Sequence, residues 1–268
     1  MKKRKRVTHF VMPDTQVKPG VNTDHIEAAG NFCAKKQPDV IVCGGDFFDM
    51  ESLSSYDKAT AKGECRRYDD DIAAGINAMK RFFKGINKLN RQRSKDKKKQ
   101  YKPRLVYCLG NHEYRIQRYA NSNPELVGKV GFKDLKLESF GWEVYQFLEV
   151  VEVHGVLYSH FFPRNAKGKI TQTKNGAPSA VLQLQRERQS CTGFHLQGMD
   201  YAVHPSANKI QYGLMVGSFY SHEEDYLSPQ GTKYWRGCIM KHDVRDGEYD
   251  IMPLSLDWLV ENYLKYRG

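Results

Sequence analysis

The 268-residue sequence has no apolar run that approaches the about 18 residues needed to cross a membrane. Its six cysteines form no CxxC pair and no spacing typical of a secreted disulfide framework, so we expect reduced thiols in the core. The basic N-terminus leads into a predicted strand instead of an apolar signal segment. With a mean hydropathy of −0.67, the composition predicts a soluble globular protein of the cytoplasm.

Acidic residues are scarce in two segments that hold the whole excess of positive charge. Residues 1–6 (MKKRKR) carry five positive charges, and residues 91–104 (RQRSKDKKKQYKPR) carry eight basic residues and one acid. The chain carries +11 in total, so its other 248 residues are close to neutral. Such runs are either solvated loops or a binding surface for a polyanion such as nucleic acid. We predict one domain over residues 1–268, with a basic N-terminus (1–6) and a mobile basic loop (91–104).

The order of hydrophobic patterns predicts an α/β fold. Strand-like runs at residues 7–12, 39–43 and 105–108 alternate with two helix candidates, the first at residues 22–36. The second places Ile72, Ile76, Met79, Phe83 and Ile86 on one helical face. This alternation is typical of a parallel sheet covered by helices. Strands are then predicted at residues 142–147, 148–153, 156–159, 211–216, 237–242 and 249–254.

Polar motifs follow each of the first three strands. These are Asp14, the segment GGDFFD at residues 44–49, and GNHE at residues 110–113. The carboxyl ends of parallel strands meet at one edge of a sheet, so we expect the three motifs to converge on one crevice. Carboxylate, amide and imidazole groups suit a divalent cation that activates water. Two residues after Asp14, where such a site could use a histidine, the chain has Gln16.

These motifs in this order resemble the calcineurin-like metallophosphoesterases, whose blocks run D-x-H, G-D-x-x-D, G-N-H-E, a lone His and G-H-x-H. The resemblance covers the chain from Asp14 to Gln197, and DTQVKPG is similar to phage-encoded members in particular. It implies two packed mixed β-sheets flanked by helices, and a hydrolase that acts on phosphoric ester bonds. It also implies that Asp46 bridges two metal ions. His112 then protonates the leaving oxygen, oriented by Asp49.

The last block can be aligned in two registers. The segment SCTGFHLQG supplies either His195 and Gln197 as the two ligands, or Gly193 and His195. We prefer the first register, because the resemblance then assigns both glutamines, Gln16 and Gln197, to one metal ion; the second register stays open. The implied metal ligands are Asp14, Gln16, Asp46, Asn111, His160, His195 and Gln197. The predicted cofactors are two divalent ions, Mn²⁺ first and Mg²⁺, Fe²⁺ or Zn²⁺ as alternatives, and the glutamine site is the weaker one because an amide oxygen is a poorer donor than imidazole.

The substrate is predicted less directly. Arg115, Arg118 and His222 are candidate substrate-binding residues, and Met50 stands where protein-phosphatase relatives have arginine. The basic segments favour a phosphodiesterase or nuclease that attacks nucleic acid with metal-activated hydroxide. The alternatives are a phosphomonoesterase, a phosphodiesterase of small cyclic or other nucleotides, and a catalytically weak nucleic-acid-binding module. No membrane partner is predicted.

Overall fold

The computed structural model describes residues 6–54, 65–165, 167–223 and 234–265. Most of the predicted basic N-terminus, residues 1–5, lies outside the described residues. The helices are α1 (Asp24–Lys36), α2 (Tyr68–Lys95), α3 (Asn111–Ser122), α4 (Ala180–Glu187) and α5 (Leu256–Tyr263). The strands are β1 (His9–Met12), β2 (Val40–Cys43), β3 (Arg104–Cys108), β4 (Glu143–Tyr145), β5 (Val151–Val153), β6 (Val156–Tyr158), β7 (Cys191–Gly193), β8 (Met199–Pro205), β9 (Ile210–Val216), β10 (Gly237–Arg245) and β11 (Glu248–Ser255).

The first sheet has the strand order β11-β10-β1-β2-β3-β4 within the described residues. β1, β2, β3 and β4 are parallel neighbours, and β10 pairs antiparallel with β1. The carboxyl ends of β1, β2 and β3 therefore meet at one edge of the sheet, which we term the carboxyl edge. Their amino ends form the opposite edge, the amino edge.

The second sheet has the described strand order β5-β6-β7-β9-β8, in which β6, β7 and β9 are parallel. A bridge between Asp14, after β1, and Ser218, after β9, joins the carboxyl ends of the two sheets. The loops that follow parallel strands of both sheets consequently share one crevice.

Strict alternation along the strands builds two cores, one on each face of the first sheet. Phe10 and Ile41 face α1, α2 and α5, while Val11 and Val42 face the second sheet. A smaller cluster seats α4 on the outer face of the second sheet. The predicted arrangement of two mixed sheets flanked by helices is confirmed. No helix in the described part of the chain is both long and apolar enough to cross a membrane.

The segment predicted as a basic loop over residues 91–104 is only partly a loop. α2 continues to Lys95 and β3 begins at Arg104. Lysine, arginine and glutamine are good helix formers, which explains why the helix extends into this segment. Its connection is anchored as well, since the Tyr101 hydroxyl donates to the Pro38 carbonyl over 2.8 Å and Arg93 donates to the Gln37 side chain over 2.7 Å.

Several short elements differ from the sequence prediction. The strand predicted at residues 142–147 is limited to β4, and the one at residues 148–153 is limited to β5, since Leu148 adopts a left-handed φ of 68°. The sequence patterns did not predict α3, α4, α5, β7 or β8. β7 has only three residues, too few to show a period.

Candidate metal centre

The predicted ligands come from the loops that follow five parallel strands. Asp14 follows β1, Asp46 follows β2, and Asn111 begins α3 directly after β3. From the second sheet, His160 follows β6 and His195 follows β7. Since these strands end at the same crevice, residues up to 181 positions apart in the chain become neighbours, as the hydrogen bond from the His195 backbone N–H to Asp14 Oδ1 (3.2 Å) shows.

Three ligand-type side chains form a compact cluster around Asp46. One ligand atom each from Asp46, His160 and His195 lies within 4.8 Å of the other two. His160 Nε2 is 3.3 Å from Asp46 Oδ2 and 2.9 Å from Asn111 Oδ1. A carboxylate, an amide oxygen and two imidazoles around one point form a donor set that suits Mn²⁺, Fe²⁺ or Zn²⁺.

The backbone fixes the orientation of the His160 ring. Nδ1 lies 2.8 Å from the Gly44 carbonyl oxygen, which can only accept, so Nδ1 carries a proton and Nε2 is directed at Asp46 and Asn111. Burial opposes a charged imidazole, but Asp46, Asp14 and the Gly44 carbonyl together outweigh burial and raise the pKa of His160 to about 9. His160 would therefore have to release the Nε2 proton in order to hold a metal ion at this nitrogen.

Asp14 carries a buried carboxylate oxygen that the polypeptide leaves unsatisfied. Its Oδ2 has no hydrogen-bond partner among the described residues, and the side chain is fully buried. Burial, followed by repulsion from Asp46, raises the pKa of Asp14 to about 7. The pKa of Asp46 is instead lowered, because His112 and His160 outweigh the effect of burial. A buried, orphaned carboxylate beside a second carboxylate is what a cation between them would satisfy, so these residues fit a divalent metal centre.

The local backbone is held in conformations that few residues adopt. Gln16, Asp46 and His195 have left-handed φ values of 45°, 48° and 67°. Such strain at non-glycine residues persists where the surroundings enforce it, often at functional sites. Gly110 is required here, because a Cβ at this position would collide with the Asp46 carboxylate. Gly44 likewise makes room for the Phe194 ring.

His112 stands beside the cluster in a second hydrogen-bonded group. Its Nδ1 is 2.7 Å from Asp49 Oδ1 and 3.0 Å from the Asp49 carbonyl oxygen, so Nδ1 carries the proton. Its Nε2 is 3.8 Å from Asp46 Oδ2 and accepts a hydrogen bond from Arg115 over 3.2 Å. Burial lowers the pKa of His112, but the carboxylates of Asp46 and Asp49 more than compensate, and the net pKa is raised.

Glu113 is a residue of this site that the sequence patterns left without a role. Its two carboxylate oxygens accept from the backbone N–H groups of Asp46, Phe48 and Gly110, and from the Tyr107 hydroxyl, over 2.8–3.0 Å. Burial raises the pKa of Glu113, and Asp46 raises it further. Glu113 thus ties the loop after β2 to the loop after β3. Its position in GNHE was the available signal, but its backbone partners were not readable from the chain.

The two glutamines flank the same crevice. Gln16 is buried, and its backbone N–H donates to the Asp46 carbonyl over 2.8 Å. The side-chain oxygen of Gln197 accepts from the Tyr220 hydroxyl over 2.6 Å. Direct ligation by either glutamine stays a prediction, and Tyr220, which sequence analysis did not single out, orients one of them.

The predicted substrate-binding residues are not all brought to the centre. Arg115 is half-buried and contacts both His112 and Asp49. Arg118, one turn further along α3, is exposed. The His222 ring lies 4.9 Å from the Tyr220 ring.

Comparison with known proteins agrees with this arrangement. No curated protein sequence matches the chain. The pattern of the calcineurin-like phosphoesterase family matches residues 10–189, which is more than half of the chain and contains the loops after β1, β2, β3 and β6. The chain therefore belongs to the calcineurin-like phosphoesterases, and it is a metal-dependent hydrolase of phosphoester bonds.

Proposed function

We propose that this phosphoesterase hydrolyses phosphodiester bonds, and that its natural substrate is a nucleic acid. The observation that carries the proposal is the group formed by His112, Asp49 and Arg115 beside the metal centre. This group supplies one positive charge and a proton donor for an alkoxide, which is a poor leaving group. When bound, the divalent ions supply an activated water and neutralise phosphoryl charge.

The charges of the side chains around His112 favour a diester over a monoester as the substrate. A diester carries one negative charge on its phosphoryl oxygens, whereas a monoester carries up to two. Lys18 approaches Asp49 (3.5 Å) and Glu51 (3.4 Å), which neutralise it. Arg115 is the half-buried cation next to His112, and it also lies 3.4 Å from Asp49 Oδ1. At the position after Asp49, the chain has the apolar, fully buried Met50.

His112 and Arg115 have linked roles in this proposal. In the structure Nε2 of His112 accepts from Arg115, so protonation of Nε2 releases that guanidinium. The protonated imidazole can then donate to the leaving oxygen while Arg115 contacts a phosphoryl oxygen. Asp49 keeps the other ring nitrogen protonated and the ring in place throughout.

Substrate preference is tested with the Mn²⁺-loaded chain. We expect kcat/KM for bis(p-nitrophenyl) phosphate to exceed that for p-nitrophenyl phosphate by about tenfold or more, with cleavage of an oligonucleotide as the second readout. A preference for the monoester would replace the proposal with a phosphomonoesterase. Hydrolysis of neither ester, together with retained nucleic-acid binding, would indicate a binding module.

Replacement of His112 tests the acid role. His112→Ala is expected to lower turnover of an oligonucleotide by about 10² to 10⁴, the usual contribution of a general acid. The loss for bis(p-nitrophenyl) phosphate should be much smaller, because p-nitrophenolate leaves without protonation. Metal content, measured by elemental analysis, should stay unchanged. Equal losses for both leaving groups would contradict the assignment.

A further inference from the structure

A strongly basic surface lies at the amino edge of the first sheet, opposite the metal centre. α2 starts near the carboxyl edge, where Asp71 accepts a hydrogen bond from the Ser52 backbone N–H over 2.9 Å. It ends at Lys95, and the chain then enters β3 from the amino edge. At 1.5 Å per residue, Lys95 is about 36 Å along the helix axis from Asp71. The basic segment is therefore remote from the reacting phosphate.

Segments far apart in sequence converge at this edge around the turn at residues 37–39. The Thr8 backbone N–H, just before β1, donates to Asp39 over 3.0 Å. Arg93, near the end of α2, reaches Gln37. We term the resulting surface the basic edge; its described members are Arg6, Lys36, Arg91, Lys95, Lys97, Lys98, Lys99 and Lys102, all of them exposed.

Few acidic side chains oppose this charge. Asp96 lies 3.7 Å from Lys98, and Asp243 lies 3.4 Å from Arg6. Basic residues in the last turn of a helix commonly offset the helix dipole, which accounts for Lys36 and Lys95. That explanation does not extend to residues 97–102, which follow α2.

We propose that the basic edge docks the phosphate backbone of duplex nucleic acid. Tyr101, the aromatic residue of its connecting segment, is buried, and residues 91–104 contain none of the exposed large apolar side chains in the described part of the chain. The surface thus offers no described ring for base stacking and no apolar anchor for a lipid bilayer. Exposed lysines can bind the regularly spaced phosphates of a duplex without an aromatic ring and without an apolar anchor.

The separation between the basic edge and the metal centre determines which substrates can use the docking surface. The length of about 36 Å between Asp71 and Lys95 along α2 corresponds to roughly one turn of duplex, so one nucleic acid can contact both edges of the sheet only if it is long enough. The inference rests on the proposed function for the identity of the polyanion, but binding at the basic edge needs no catalysis. Small phosphodiesters cannot reach the basic edge from the metal centre.

The test compares two triple variants of equal charge change in the full chain. One is Arg91→Gln, Lys95→Gln, Lys99→Gln; the control is Lys129→Gln, Lys174→Gln, Lys209→Gln, at exposed lysines outside the basic edge. Binding of a phosphorothioate 25-base-pair duplex is followed by fluorescence anisotropy between 50 and 200 mM NaCl, and hydrolysis of bis(p-nitrophenyl) phosphate is measured in parallel. Each lost phosphate contact should reduce the slope of log K against log salt by about 0.9, so the basic-edge variant should lose about 2.7.

We expect this reduced slope and weaker duplex binding for the basic-edge variant alone, with hydrolysis of the small diester unchanged in both variants. Equal slopes for the two variants would overturn the inference, as would equal or tighter binding to phosphatidylserine vesicles. If duplex binding responds as expected but no diester is hydrolysed, the docking surface stands and the proposed function fails. If diesters are hydrolysed and the slopes are equal, the proposed function stands and docking at the basic edge fails.

Discussion

At the scale of single residues, the metal centre depends on which atom each ligand presents. The Gly44 carbonyl holds His160 with Nε2 toward Asp46, and Asp49 holds His112 with Nε2 toward the same carboxylate. Both histidines thus direct Nε2 at Asp46, but they have different roles. The first can bind a metal ion, and the second can carry a proton.

The two glutamines can be tested by restoring imidazole. Gln16→His with Gln197→His should raise affinity at the weaker site and broaden metal use toward Zn²⁺, because imidazole is a stronger and softer donor than an amide oxygen. The double change should exceed the sum of the single changes, since ligands of one ion are coupled. Metal titration by calorimetry on wild type, both singles and the double measures this.

Tyr220→Phe is the matched control for that experiment. It removes the hydrogen bond to Gln197 without supplying a new ligand. If it reproduces the effect of Gln197→His, the gain comes from a released side chain and not from imidazole. Additive, negligible effects of the histidines would instead reopen the register that places Gly193 and His195 at the two ligand positions.

At the scale of elements, the sequence predicted which loops meet at the metal centre, but not the residues that hold these loops and their side chains in place. Asp14, Asp46 and Asn111 could be expected to converge, because each follows a buried parallel strand and such strands end at one edge. The role of Glu113 could not be predicted, since three of its four partners are backbone N–H groups, which every sequence contains. The role of Tyr220 could not be predicted either, because its partner Gln197 lies in an irregular loop after β7.

Glu113→Gln tests whether the loops after β2 and β3 are held as one unit. The variant turns one acceptor oxygen into an NH₂ group that faces buried N–H donors. Because hydrogen bonds to a charged group contribute about 1.5–3 kcal/mol each, the free energy of unfolding should fall by about 3 kcal/mol or more, and metal affinity should fall with it. Urea unfolding and metal titration give both quantities.

The exposed Glu125→Gln serves as the control for an equal change of charge at the surface. It should leave stability and metal binding as in the wild type. Unchanged metal affinity in a destabilised Glu113→Gln would show that Glu113 supports the fold alone.

At the scale of the whole molecule, a polar chain crosses the otherwise apolar interface between the sheets. Lys241 of β10 is fully buried and donates to Thr192 of β7 over 2.5 Å and to the Tyr158 hydroxyl over 3.3 Å. Tyr158 in turn lies 2.8 Å from His9 Nδ1, and His9 Nε2 lies 2.9 Å from the exposed His154. The strand pattern predicted β10, but a lysine facing the core is the opposite of what composition suggests.

Burial lowers the pKa of Lys241 well below its ordinary value of 10.5, and burial followed by Lys241 lowers the pKa of His9 to about 2. Folding therefore favours neutral forms of both groups. Between the folded and unfolded pKa of Lys241, the unfolded chain holds one more proton, so stability rises with pH across this window. The corresponding window for His9 ends near pH 6.5. Above it, His160, whose pKa is raised to about 9, contributes the opposite slope, so the Lys241 contribution is read as the difference between the wild type and a variant without the amine.

Lys241→Met should remove this dependence. In the wild type, the linked proton contributes up to about 1.4 kcal/mol per pH unit to the free energy of unfolding between pH 7 and 9.5, and in the variant this contribution should vanish. At pH 7 the variant should be as stable as wild type or more stable, because methionine removes the cost of neutralising an ammonium group, although Thr192 loses its donor. Urea unfolding across this pH range gives the slope, and Lys80→Met, at an exposed position on α2, should retain the wild-type slope. Identical slopes in wild type and Lys241→Met would mean that Lys241 stays protonated between the sheets, with Tyr158 and Tyr249, whose rings lie 4.7 and 4.2 Å from its Nζ, stabilising the cation.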